Sequence, residues 1–168
     1  KIVSADILQT KKILDNWLKK MQSKYHEEKP KMIFINTAGG GLKATYWTFH
    51  VLQELQKQTN SKLFDHTFLL TGASGGMIGT AYFRELYLRQ KRHEPVDYLD
   101  KSYLDDVGND MLNGVTTSIA LNDIFFPVQK FEYKNQTYYK DRAFMFNKEL
   151  NENTHYFMDK MLSDYKKP

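Results

Sequence analysis

The sequence predicts an α/β fold with a mainly parallel central sheet. Two short apolar runs, at residues 32–37 and 65–70, have the composition of strands that are buried on both faces. A turn of small residues and then an amphipathic helical pattern follow each run. Because right-handed crossovers return the chain in the same direction, two successive strand-turn-helix units place both turns at one edge of a parallel sheet.

The composition is that of a globular protein. The 168 residues are enough for one domain with a sizeable core, so we expect residues 1–168 to form a single unit. The sequence is 41% hydrophobic and 26% charged, and no apolar run approaches the roughly 20 residues needed to span a bilayer. The chain opens with lysine, so we expect a segment of a longer protein whose targeting information lies elsewhere.

The charge and the residue types limit the partners. The net charge of +4 permits attraction to anionic lipid, but no recognition motif accompanies it, so we expect no nucleic-acid partner. The sequence has no cysteine, which excludes disulfides and thiolate catalysis and favours a cytoplasmic or membrane-associated location. The histidines lack zinc-ligand spacing, so we expect neither a metal nor a cofactor.

Residues 1–30 predict an N-terminal helix and a linker. The helix covers residues 4–25 with Ser4 as its N-cap, and Pro30 closes a polar linker. Apolar residues at helical spacing predict that one face packs on the domain; they are Ile7, Leu8, Leu14, Trp17, Leu18, Met21 and Tyr25.

Residues 31–93 hold the two strand-turn-helix units. The first helix, at residues 42–58, carries an apolar stripe that we expect to face inward: Tyr46, Trp47, Val51, Leu52 and Leu55. The second helix, from residue 76 to about residue 92, carries a similar stripe: Met77, Ile78, Ala81, Tyr82 and Leu86. A basic run and Pro95 end it, as expected near a helix C-terminus.

Residues 94–168 predict a mostly helical, loop-rich region. We expect two helices within residues 96–121 that are interrupted near Gly108 or Gly114, an irregular loop or short strand at 131–139, and short helices at 143–150 and 156–165. The stretch from 125 to 146 is rich in aromatic residues. We expect these rings to form the core of a loop-rich cap, with an acyl-binding wall or an interfacial membrane patch as the alternative.

The second turn matches the Gly-x-Ser-x-Gly pattern of a nucleophile elbow, in which a serine lies on a strained strand-to-helix turn. Gly72, Ala73, Gly75 and Gly76 surround Ser74, and all four are small enough for such a turn. The bare pattern occurs by chance in roughly one chain in fifteen of this length, at average residue usage. The preceding strand and following helix are therefore what support Ser74 as a nucleophile.

The first turn has three consecutive glycines, Gly39, Gly40 and Gly41, at the start of a helix. Acyl transfer builds negative charge on a carbonyl oxygen, and each backbone N–H aimed at that oxygen can contribute roughly 3 kcal/mol. Lys43 lies in the first turn of the same helix. The glycines are thus candidates for an oxyanion hole, while a simple tight turn or a phosphate cradle would also explain them.

The two turns together, in this order and about thirty residues apart, resemble the patatin-like phospholipase family. The match covers residue 32 to about residue 84. Further on, Tyr139-Lys140-Asp141-Arg142-Ala143 is similar to the Asp-Arg-Gly segment of longer bacterial members. The resemblance implies a three-layer α/β/α domain and a lipid acyl hydrolase that uses a Ser-Asp dyad on phospholipid or lysophospholipid, in peripheral contact with a membrane.

The resemblance also implies roles for individual residues. Ser74 would be the nucleophile, Gly39, Gly40 and Gly41 the oxyanion hole, and Lys43, Gly72, Gly75 and Gly76 would support them. The family's aspartate lies in a downstream Asp-Gly motif, and no Asp-Gly pair occurs in this sequence. We therefore expect an incomplete domain with little or no activity of its own, although Asp123 and Asp141 are the nearest internal candidates.

Two other functions are compatible with the same residues. The glycine turn and the N-terminus of its helix could hold a phosphate or lipid head group without chemistry. The chain could also be a degenerate relative that acts only through interactions. A further alternative, a histidine base for Ser74, has no support in the spacing of the five histidines.

Overall fold

The computed structural model describes residues 2–125, 129–133, 135–160 and 164. The described residues form both helices and short strands, which is compatible with the α/β class in general. Contacts divide the chain into two units, Lys1–Asn36 with Glu54–Thr71, and Thr37–Gln53 with Gly72–Pro168. Each unit is described by itself below.

The first part of the chain contains helix α1 (Ile2–Tyr25), strand β1 (Ile33–Thr37), helix α2 (Gly41–Gln58), a helical turn α3 (Leu63–His66) and strand β2 (Thr67–Gly72). The predicted second strand begins two residues too early, because residues 63–66 form α3 instead. Thr59 stabilises this turn, since its hydroxyl accepts the Leu63 N–H at 3.1 Å. The Thr67 hydroxyl in turn donates to the Leu63 carbonyl at 2.8 Å.

Strands β1 and β2 pair in a two-stranded sheet, with α2 in the connection between them. Thr37 ends β1, and its carbonyl accepts the N–H of Ala73, the residue after β2, at 3.1 Å. The side chains of Asn36 and Thr71 also meet, at 3.0 Å. Because their carboxyl ends are neighbours, the two strands run parallel, as predicted. The described residues add no further strand to this sheet.

Helix α1 packs through its C-terminal half only. The Trp17 ring meets the edge of Phe68 with ring centroids 6.2 Å apart, and Met21 is buried. In contrast, Ile7 and Leu8 are 62% and 68% exposed, so the predicted packing of the whole apolar stripe is wrong. The helix has 24 residues and is about 36 Å long, whereas strands of five or six residues extend roughly 17–20 Å. The short strands cannot cover the whole helix.

The second unit is built around helix α4 (Ser74–Lys91) and the first part of α2. The Phe49 ring lies 5.5 Å from both Tyr82 and Phe83, and all three side chains are fully buried. The helix α5 (Lys101–Gly108) adds Leu104 and Val107 to this core. Of the predicted inward residues of α4, Tyr82 and Leu86 are buried.

The predicted inward face of α2 is only partly right, since Leu52 is buried but three other members of the stripe are exposed. Trp47 is 65% exposed and Tyr46 is 39% exposed, whereas Thr45 and Gln53 are buried. The Gln53 amide nitrogen donates to the backbone carbonyls of Tyr98 and of Asp100, at 3.1 and 3.0 Å. Hydrogen bonds therefore satisfy polar side chains on the buried face, and apolar periodicity alone could not locate it.

The remaining elements are helix α6 (Asn113–Ser118), a π-helical turn (Ile119–Asp123), strands β3 (Lys130–Tyr133) and β4 (Gln136–Tyr139), and helix α7 (Arg142–Asn153). β3 and β4 form an antiparallel hairpin, with Lys130 opposite Tyr139 and Tyr133 opposite Gln136. The interruption between α5 and α6 falls at residues 109–112, as predicted. Residues 156–160, predicted to be helical, form turns and irregular chain, and most of the predicted rest of that helix lies outside the described residues.

None of the helices in the described part of the chain combines the length and apolar character that crossing a membrane requires.

Candidate active site

Ser74 occupies a strained backbone conformation. It is the first residue of α4, and its φ is +48°, whereas Ala73 before it is extended, with φ −133° and ψ 146°. A left-handed conformation costs a residue with a side chain roughly 1–2 kcal/mol. The sharp strand-to-helix turn therefore has the strain that the Gly-x-Ser-x-Gly pattern predicts.

The glycines around Ser74 are required by close approach of the backbone. A Cβ built at Gly72, Gly75 or Gly76 would overlap a neighbouring atom. Two of the overlaps are with backbone carbonyl oxygens, which cannot move aside as a flexible side chain could. The positions and the atoms met are Gly72 with the Thr37 hydroxyl, Gly75 with the Gly41 carbonyl, and Gly76 with the Ala38 carbonyl.

The glycine turn lies directly beside the serine. A Cβ on Gly39 would stand 3.3 Å from the Ser74 Cβ. Gly40 and Gly41 have φ of +149° and +62°, conformations that residues with side chains rarely adopt. The structure thus brings together the predicted nucleophile and the predicted oxyanion-binding residues.

Two helix N-termini meet at this site. Helix α2 begins at Gly41 and helix α4 at Ser74, and Gly75 is packed against the Gly41 carbonyl. Each helix has 18 residues. The unpaired N–H groups of a helix's first turn carry partial positive charge and favour an anion. Negative charge that develops on an atom bound beside Ser74 would be stabilised by both helices.

Three threonines that sequence reasoning missed make hydrogen bonds beside the two turns. The buried Thr80 hydroxyl lies 2.9 Å from the Gly76 carbonyl and 3.2 Å from the Thr37 hydroxyl. The buried Thr45 hydroxyl donates to the Gly41 carbonyl at 3.3 Å. The sequence clue was that Thr45 and Thr80 each follow a turn glycine by four residues, the spacing that aligns one helical turn.

The site is open to solvent. Ser74 is exposed, and so are the three turn glycines and Lys43. An ester could therefore reach the serine hydroxyl without movement of the described residues. Lys43 makes no ion pair with any described residue.

Hydrogen bonds among the described residues do not identify a base for Ser74. No hydrogen bond joins the Ser74 hydroxyl to another described side chain. Asp141 caps α7, where its carboxylate accepts the Phe144 N–H at 2.9 Å. For Asp123 the structure describes the backbone, which ends the π-helical turn, and not the side chain.

Two of the five histidines make polar side-chain contacts with other groups. His66 Nδ1 is 2.9 Å from the Lys31 carbonyl, and His155 Nε2 is 3.0 Å from an Asp106 carboxylate oxygen. Among the described residues, no group of three or more potential ligand side chains is arranged to hold a metal ion.

Comparisons with protein-family models, with curated proteins and with solved structures returned no match to this chain.

Proposed function

We propose that this chain carries the nucleophile and the oxyanion-binding turn of a patatin-like serine lipid acyl hydrolase, within a three-layer α/β/α domain. The observation that carries the proposal is the contact between a strained, exposed Ser74 and the glycine turn, at the meeting point of two helix N-termini. The substrate is a phospholipid or lysophospholipid, reached through peripheral contact with a membrane.

The chemistry follows from the positions of these groups. The Ser74 hydroxyl oxygen attacks the carbonyl carbon of the lipid ester while its proton passes to a base. The carbonyl oxygen becomes an oxyanion that accepts hydrogen bonds from the N–H groups of Gly40 and Gly41, with Gly39 beside them. The alcohol or lysolipid then leaves with a proton, and water releases the fatty acid from the acyl-serine.

The size of the electrostatic contribution explains why the glycines matter. Each preorganised N–H is worth roughly 3 kcal/mol in the transition state, so two such donors would accelerate the step by about four orders of magnitude. The strain at Ser74 serves the same end, because it presents the hydroxyl at the tip of the turn, where the ester must approach. Lys43, in the first turn of α2, adds positive charge that favours an anionic head group.

The base is the second partner that the proposal needs. The resemblance implies an aspartate in an Asp-Gly motif, and no hydrogen bond joins a described carboxylate to the Ser74 hydroxyl. A second candidate is a module that binds phosphate or a lipid head group without chemistry. Positive-φ glycines at converging helix N-termini suit that role equally well.

Ester hydrolysis by the natural full-length protein separates the two candidates. We expect turnover of p-nitrophenyl butyrate and of lysophosphatidylcholine that falls to background in Ser74→Ala. Ser61→Ala is the matched control, because Ser61 also has a positive φ, of +62°, and lies in the other unit. Equal turnover by wild type and Ser74→Ala would contradict the hydrolase proposal.

Calorimetric titration tests the binding candidate. If turnover is absent and glycerol 3-phosphate binds wild type and Ser74→Ala alike, the site is a head-group module. Gly41→Ala should then weaken binding, because alanine is strained at the φ of +62° that orients the turn.

A further inference from the structure

An open cavity of about 710 Å³ lies in the second unit. The β3–β4 hairpin, α7 and residues 156–160 line it, and no residue of the Ser74 site is among them. Its volume falls within the roughly 300–1,000 Å³ that is usual for sites that bind small molecules. None of the chemistry proposed for Ser74 uses it.

The walls of the cavity are largely aromatic and apolar. The Phe131 ring contacts the rings of Tyr138 and Phe144, with centroid distances of 5.6 and 4.3 Å, so three aromatic rings form one wall. Side chains of Leu150 and Met158 add aliphatic surface. The other rings in the lining belong to Tyr133, Tyr139 and Tyr156. A flexible acyl chain would bury its methylene groups against such a surface, at about 0.8 kcal/mol each.

The charged groups in the lining carry both signs. Lys148 pairs only loosely with Glu152, at 3.6 Å, and its side chain is 46% exposed. Lys160 is held firmly by the buried Glu85. Among the acids, Asp159 accepts a long hydrogen bond from the Tyr133 hydroxyl at 3.4 Å and makes no ion pair with a described residue. Lys148 and Asp159 are therefore the charges best able to meet a ligand.

The aromatic rings of this region already hold ammonium groups. The Lys130 ammonium lies 5.0 Å from the centroid of the Tyr139 ring, and the Lys140 ammonium lies 6.0 Å from that of Phe144. Neither lysine lines the cavity. The faces of tyrosine rings beside a carboxylate also attract a quaternary ammonium group.

We propose that this cavity binds a lysophospholipid with a zwitterionic head group. The single acyl chain packs against Phe131, Leu150 and Met158, the phosphate meets Lys148, and the ammonium meets Asp159 and the tyrosine rings. The proposal is independent of the hydrolase, since binding here requires no reaction at Ser74.

Methyl NMR of the full chain tests this proposal directly. With 13C-methyl methionine, we expect the Met158 methyl resonance to shift saturably when lauroyl lysophosphatidylcholine is added below its micelle concentration. Met21 and Met111 are buried and do not line the cavity, so their methyl resonances should not move. An unmoved Met158 methyl would overturn the proposal. The Ser74→Ala variant should bind as wild type does, which separates this test from that of the hydrolase.

Two tryptophan variants test whether the ligand occupies this cavity. Ala143→Trp places an indole in the cavity, and excluding two or more methylenes should weaken binding by about tenfold or more. Ala120→Trp is the control, because Ala120 is exposed and does not line the cavity. Equal affinity of the two variants would overturn the assignment of the site.

The head group is tested with a neutral ligand. Lys148→Met and Asp159→Asn should each weaken lysophosphatidylcholine binding severalfold and leave binding of monolaurin unchanged. If monolaurin binds wild type as tightly as lysophosphatidylcholine does, the head-group assignment is wrong. The same holds if neither substitution alters the affinity for lysophosphatidylcholine.

Discussion

Replacement of Ser74 by glycine should stabilise the protein. Ser74 has a φ of +48°, which costs a residue with a Cβ roughly 1–2 kcal/mol and costs glycine almost nothing. Alanine keeps the Cβ and therefore keeps the strain. We expect Ser74→Gly to exceed Ser74→Ala in free energy of unfolding by about 1 kcal/mol, after allowing for glycine's greater freedom when unfolded.

Urea unfolding followed by circular dichroism measures this difference. With a urea m-value of about 2 kcal/mol/M, a gain of about 1 kcal/mol raises the midpoint by about 0.5 M. The same gain corresponds to a melting temperature about 2–4 °C higher for a chain of this length.

The control is a serine in ordinary helical conformation. Ser118, in α6, has a φ of −64°, so Ser118→Gly should be less stable than Ser118→Ala by about 0.5–1 kcal/mol. The two sites should therefore respond in opposite directions to the same pair of substitutions. If Ser74→Gly is no more stable than Ser74→Ala, Ser74 is not strained and the elbow geometry is wrong.

Three further predictions concern the packing around the site and the core of the second unit. Gly75→Ala should lower the free energy of unfolding by about 3 kcal/mol or more, because the added Cβ would overlap the Gly41 carbonyl. Gly108→Ala is the control. Its Cβ would only touch the Tyr46 ring, at 3.3 Å, so the free energy of unfolding should change by about 1 kcal/mol or less. Urea midpoints measure both, and equal losses would mean that α4 does not pack on the glycine turn. Glu85→Gln should cost about 2 kcal/mol, because Glu85 is 2% exposed and the substitution replaces its charge-assisted contacts with Arg89, at 2.8 Å, and Lys160 by neutral ones, although Arg89 keeps Glu94 at 2.7 Å. A loss under about 1 kcal/mol would show that the pair is solvated. Finally, burial raises the pKa of Tyr82 far above its usual value, so the stability that its neutral form contributes is complete below about pH 10 and is lost as the pH rises further. Alkaline unfolding should therefore begin above about pH 10, and the free energy of unfolding should fall less steeply with pH in Tyr82→Phe than in wild type. An identical pH profile for the two proteins would contradict the burial of Tyr82.

The features that the sequence predicted well are local ones. The two strand-turn-helix units follow from apolar runs, glycine turns and helical periodicity, and the structure places each boundary within about two residues. The contact between Ser74 and the glycine turn was predictable because parallel strands end at the same edge of a sheet. Strain at Ser74 was predictable from the pattern of small residues around it.

The features that the sequence predicted poorly depend on distant partners. Gln53 can lie on the buried face of α2 because two backbone carbonyls accept its amide hydrogens, and these carbonyls lie 45 and 47 residues away along the chain. The exposed part of α1 reflects the short length of the strands available to cover it. The base for Ser74 could not be predicted, because a base is identified by its position in space, and no spacing in this sequence marks one.

The most direct measurement of the central claim is covalent labelling by a fluorophosphonate, which reacts only with a serine whose hydroxyl is activated. The natural full-length protein would be treated with the probe, digested and analysed by mass spectrometry. We predict a single phosphonylated residue, Ser74, with no labelling in folded Ser74→Ala and normal labelling in Ser61→Ala. A folded protein that takes up no label, or takes it up at another serine, would contradict the assignment of Ser74 as the nucleophile.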